Sequence, residues 1–180
     1  MLIAACHVGP DKFLAEGESF HVGAGYPRSF GLPDGSEVIV FPNSSITLAK
    51  GFGKDNRGLE VDGEVMVRVA GTGAAGSGAT ETGAAAGVKP FVVHTRDLVI
   101  EVLEGGARFH VDANRSRPGE QADLLEGRLR VRKSYHSDTD NEPEVLAGGE
   151  MVMINRDIDL MEKEKLSPAE LDKLKEKVRN

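Results

Sequence analysis

In LEVDGEVMVRVA, residues 59–70, Val65, Val67 and Val69 alternate with Glu64, Met66 and Arg68. A period of two sends successive side chains to opposite faces of a β-strand, here one apolar and one polar. Residues 57–62 and 64–70 are therefore two candidate strands, with a glycine between them. The same alternation recurs along the chain. Phe109 and Val111 alternate with Arg108 and His110, and Leu129 and Val131 alternate with Arg128, Arg130 and Arg132. Working outward, the candidate strands are 28–32, 37–41, 45–49, 57–62, 64–70, 91–95, 97–103, 107–113, 121–125, 128–133, 144–147 and 150–155. Turn residues separate them at short, regular intervals with no helical pattern between. That spacing predicts an all-β fold, an antiparallel β-sandwich that is jelly-roll-like or has β-helical character.

LPDGS, residues 32–36, is the clearest turn. Pro33 pre-sets φ for the second position, Asp34 tolerates the third and Gly35 suits the fourth. The short apolar run Val38–Phe41 follows, and Pro42 stops it. Two stretches break the strand rhythm. Residues 71–87, GTGAAGSGATETGAAAG, hold six glycines and six alanines with one charge, a composition that reads as a flexible insert. It lacks the order of a phosphate-binding loop. In the tail, 156–180, Ser167-Pro168-Ala169-Glu170 is a capping box with proline at the first helical position. Leu166 and Leu171 form the matching hydrophobic staple, and Leu171, Leu174 and Val178 make a narrow apolar stripe. A short C-terminal helix is predicted, either docked on the sheet or presented to a partner.

Bulk composition bounds the function. The chain has 180 residues, 39% hydrophobic and 28% charged, with a net charge of -7, enough for one domain with a sizeable core. An acidic chain with no Trp and 5% aromatics suits neither phosphate-backbone binding nor base stacking, so nucleic acid is not an expected partner. The single cysteine, Cys6, excludes an intrachain disulfide. Leu2-Ile3-Ala4-Ala5-Cys6 looks like the end of a lipoprotein signal, and residues 1–17 read as a shortened signal-like start and linker. No stretch approaches the ~18 apolar residues of a membrane span.

Chemistry-bearing constellations are sparse. His7, His21, His94, His110 and His136 show no metal-ligand spacing. His94 and His110 fall in predicted strands and would approach each other if those strands pair; the favoured reading is two polar strand positions satisfied by solvent or backbone. Asp138, Asp140 and Glu142 begin like a calcium loop, but Pro143 stands where that loop needs glycine. Arg128, Arg130 and Arg132 would line one strand face as an anion-binding stripe, or pair across strands with Glu101 or Glu150. No nucleophile or acid–base set stands out, and no cofactor or metal site is expected.

LPDGS, PNSS at 42–45, LEVDGEVMVRVA at 59–70, KPFVVHT at 89–95, LVIEVL at 98–103, ARFHVDA at 107–113, LLEGRLRVRK at 124–133 and LAGGEMVMI at 146–154 occur in order. As a set they resemble the FecR domain, the periplasmic signalling module of Gram-negative cell-surface signalling systems, over residues 18–155. The resemblance implies an all-β extracytoplasmic domain that relays a signal through protein–protein contact and carries no catalytic centre. Its partner would lie in the cell envelope: a transporter signalling domain or another regulator. The sequence departs from the family plan in three ways: it shows no cytoplasmic sigma-factor-binding segment or membrane span, only some 25 residues follow position 155, and EGGAR at 104–108 replaces a usual Gly-Thr. These departures point to a stand-alone domain, lipid-anchored at Cys6, that is not by itself a complete anti-sigma factor. A small-ligand or carbohydrate-binding β-sandwich is the alternative, and a hydrolytic enzyme on a β scaffold the third reading.

Overall fold

The structure, a computed structural model, describes residues 10–71, 89–103 and 105–177. Cys6, His7, Val178 and the insert from residue 72 onward lie outside the described residues. In chain order the strands are β1 (Lys12–Phe13), β2 (Ser19–Val22), β3 (Arg28–Gly31), β4 (Glu37–Val40), β5 (Ser44–Leu48), β6 (Arg57–Val69) and β7 (Phe91–His94). Then follow β8 (Leu98–Val102), β9 (Ala107–Ala113), β10 (Glu120–Glu126), β11 (Arg128–Lys133), β12 (Glu144–Ala147), β13 (Glu150–Asn155) and β14 (Leu160–Lys165), before helix α1 (Pro168–Lys177). The all-β expectation with a short C-terminal helix is met. Neighbouring strands are antiparallel except for β1 with β3 and β6 with β7, which run parallel.

The two candidate strands at 57–62 and 64–70 are one continuous strand, β6. Its first half pairs with β5 and β7, and from Gly63 onward it pairs with β9, with β4 on its other side. β6 thus belongs to two sheets. The first sheet runs β12-β11-β8-β7-β6-β5-β2, and the second runs β14-β13-β10-β9-β6-β4-β3-β1. The alternating apolar residues of both face one shared core, in which Phe30, Phe91, Phe109, Leu59, Leu124 and Leu129 are fully buried. On the side of β12 and β14 the gap between sheets is bridged: Lys163 Nζ lies 3.5 Å from Glu144 and 3.3 Å from the Val145 carbonyl.

The LPDGS turn explains how one strand serves two sheets. Leu32 and Ser36 close the turn (Leu32 N to Ser36 O, 2.8 Å), and Gly35 takes φ +82°. Asp34 accepts from Arg57 Nε at 2.9 Å and Nη2 at 2.5 Å, where β6 begins. Ser36 Oγ accepts from the Ala70 amide at 3.1 Å, just past where β6 ends. Thirteen residues laid straight would span about 40 Å, so both ends reach one five-residue turn only because β6 coils back at Gly63. The Arg57 guanidinium also lies over the Phe91 ring, 5.5 Å from its centroid. Asp34→Ala should cost about 1–3 kcal/mol by leaving that buried guanidinium without its carboxylate. Pro33→Ala, which alters only φ preference, should cost less than about 1 kcal/mol. Equal shifts in the urea midpoints of the two variants would show that the turn acts through its shape and not through Asp34.

The tail departs from the expected helical segment. After a 3-10 turn (Arg156–Ile158) it adds β14 to the edge of the second sheet. Alternating Glu and Lys at 162–165 gave no apolar periodicity to read. Such charges are typical of an edge strand that must resist further pairing.

Candidate interaction faces and a buried ion cluster

Registers place one row of side chains straight across the outer face of the second sheet: Ile39, Met66, His110, Asp123 and Met151. In an open sheet this face would meet water. Here α1 lies over it. Leu166 and Leu174 are buried against Phe41, Met66 and Met151, with Ile39, Leu125 and Leu171 packed alongside. The cap forms as the sequence predicts: Glu170 accepts from the Ser167 amide at 2.8 Å, and Ser167 Oγ accepts from the Glu170 amide at 3.3 Å.

Beneath the helix His110 sits between two carboxylates. Nδ1 is 2.8 Å from Asp123 Oδ2 and Nε2 is 2.8 Å from Glu64 Oε1. Lys177 from α1 also bonds Glu64, and its Nζ lies 5.3 Å from the Phe41 ring centroid. Gln121 Nε2 donates to the other oxygen of Asp123 at 2.6 Å. The side chains of His110 and Asp123 are 5% and 3% exposed, so each charge depends on its neighbour. Burial pushes the His110 pKa down, but hydrogen bonds to Asp123 and Glu64 and the Asp123 charge outweigh it, and the net movement is upward. Burial likewise raises Glu64, and the bonds from His110 and Lys177 overcome it, holding the carboxyl at about 2. An imidazolium donating from both nitrogens has no lone pair with which to act as a base. The two carboxylates hold the ring in place from both sides.

The outer face of the first sheet is polar. Ser19, Thr47, Glu60 and His94 follow one another across β2, β5, β6 and β7, and the last three border a groove of about 550 Å³ also lined by Arg115, which pairs with Asp62 at 2.9 Å. His94 and His110 therefore lie on different sheets and do not meet. Arg128, Arg130 and Arg132 occupy exposed positions on β11 as the alternation predicts. Arg130 stands opposite Glu101 in register and pairs with it at 3.2 Å, and Glu150 instead accepts from the Ala147 amide. The calcium-like stretch is ordered by protein groups: Ser137 and buried Lys133 both bond Asp159. Among the described residues no group of three or more His, Cys, Asp or Glu side chains could hold a metal ion.

A third surface feature is apolar. Met153, Ile158 and Leu160, 39%, 67% and 40% exposed, line a groove of about 330 Å³ with Pro118 and Ile154 between the β9–β10 turn and the start of β14. Sequence reading missed this groove and the ion cluster. The signal for the cluster was a charged face on ARFHVDA beside a charged face on DGEVMVR, but their cover comes from Leu166 and α1, far along the chain.

The family model for FecR protein matches residues 18–130, which span both halves of β6 and every strand from β2 to β10. Two crystal structures of a "putative anti-sigma factor" from Parabacteroides distasonis ATCC 8503, at 2.50 and 1.65 Å resolution, share the fold. Each has a TM-score of 0.64 and 21% identity, and covers 83% of this chain. The chain spans 60% of the length of those structures. No curated protein matches it.

Proposed function

This chain belongs to the FecR protein family, and from that premise we propose that it is a non-enzymatic extracytoplasmic regulator that works by protein–protein contact. The observation that carries the reading is the family match over 18–130, which takes in the LPDGS turn and the two-sheet strand together. The organisation of charge supports it. Buried His110 and Asp123 pair with each other, and buried Arg57 and Lys133 pair with Asp34 and Asp159, which suits a rigid platform for contacts. The partner is a protein of the cell envelope, a transporter signalling domain or another regulator, and the chain is held there by lipid on Cys6.

In cells, the full chain with photo-crosslinkers on its surface should trap a discrete envelope protein. Cys6→Ser should move it from the detergent to the aqueous phase. Trapping of no protein under signalling conditions would overturn the contact mechanism, and unchanged partitioning would overturn the anchor. The polar groove beside Thr47, Glu60 and His94 favours the second reading, a small-ligand or carbohydrate site. A neutral-sugar titration that leaves their NMR signals unmoved removes that reading.

A further inference from the structure

Helix α1 has ten residues, below the ~12–15 at which an isolated helix becomes even marginal in water. It is helical because of what lies beneath it. Leu166, Leu171 and Leu174 reach the sheet, Lys177 reaches Glu64, and the rest of the helix is exposed. The surface below is a seat with apolar walls and a charged floor. Two of its walls are Met66 and Met151, side chains that repack around different partners at little cost. Between them in register lie His110 and Asp123, and Glu64 and Asp123 face the single imidazole of His110. With the imidazole charged, one negative charge is in excess, and Lys177 supplies the balance. The C-terminal end of α1, with its negative dipole, lies at Glu64, so a helix with a basic last turn fits there.

We propose that this face of the second sheet is a helix-docking groove, that α1 fills it in the free domain, and that a partner's amphipathic helix with the same leucine spacing and a basic last turn displaces α1. The proposal rests on the reading of the chain as a contact regulator, and it names the surface and the kind of partner. Tethered through β14, α1 competes at an effective concentration on the order of millimolar. A partner helix must therefore bind the bare groove well, or arrive when α1 is already loosened.

The probe is a labelled peptide of residues 167–177, SPAELDKLKEK, added to the full chain. Leu174→Asp removes the anchor of the tethered helix and leaves the groove intact, so peptide binding should tighten by at least about tenfold relative to the wild type. Asp172→Pro, which breaks α1 from an exposed position, should do the same and serves if Leu174→Asp does not fold. Adding Glu64→Gln to either variant should weaken the peptide, and so should Lys177→Glu in the peptide. The His110 imidazole signals should shift when α1 is released and return on peptide addition. Equal binding to wild type and released variants would overturn the proposal, as would no binding to a folded released variant or indifference to the peptide's terminal charge. Peptide binding is independent of envelope crosslinking, so failure of one is distinguishable from failure of the other.

Discussion

Gly63→Ala should lower stability by about 3 kcal/mol, a fall in melting temperature of roughly 6–12 °C for a chain of this size. Two effects add. Gly63 sits at φ +107°, a region that costs an L side chain about 1 kcal/mol or more. A Cβ there would also stand 2.3 Å from Ser44 Oγ and 2.8 Å from Ser44 Cα. The second contact is with backbone, which cannot rotate away, and overpacking of this kind adds about 1–3 kcal/mol. Moving Ser44 would break its bond from the Glu64 amide, 2.8 Å, at the point where β6 passes from one sheet to the other. Gly53 offers the comparison, because it has φ +83° and no atom within 4 Å of the place a methyl would take. Gly53→Ala should therefore cost only the conformational part. If denaturant midpoints fall equally for both variants, the bend at Gly63 is not held by close approach to Ser44.

His110→Ala should cost about 3–5 kcal/mol, the loss expected when one member of a buried ion pair is removed and the other stays charged. Asp123 would face Glu64 across the vacated site with no imidazolium between them. His110→Leu with Asp123→Leu should recover much of the loss, since replacing a whole buried pair by apolar residues is often near neutral. The pH dependence carries the sign of each group. The folded-state pKa of His110 is raised, so its contribution is full below its unfolded value of about 6.5 and disappears as pH rises through the higher folded value. Glu64 is lowered to about 2. Its contribution is present above its ordinary value of 4.5 and is lost as pH falls toward about 2. Together they stabilise most between about pH 4.5 and 6.5. The stability gap between wild type and His110→Ala should narrow from pH 6 to pH 9. A gap constant over that range would mean that His110 is not charged in the fold.

Much of the scaffold was legible because its signals are local. A period of two told which face Val65, Val67, Phe109 and Leu129 would take, and each is buried as that pattern requires. The capping box and staple of α1 needed only neighbours three and four residues apart. Arg130 against Glu101 was within reach of cross-strand reasoning, since both lie outward on strands that pair. By contrast, β14 carries alternating charges instead of an apolar face, so only the main chain of β13 makes it a strand.

The sequence by itself determined the all-β class, the strand faces, the LPDGS turn and the capped helix, because periodicity and turn chemistry act over a few residues. Tertiary structure alone decided that 57–62 and 64–70 are one strand shared by two sheets, because that depends on Asp34 and Ser36 gripping residues on either side of a bend. It alone decided the fate of His110 as well. Alternation sends that side chain outward, toward water in any single strand. It is buried only because a helix more than fifty residues further along the chain closes over it and brings Lys177 to Glu64.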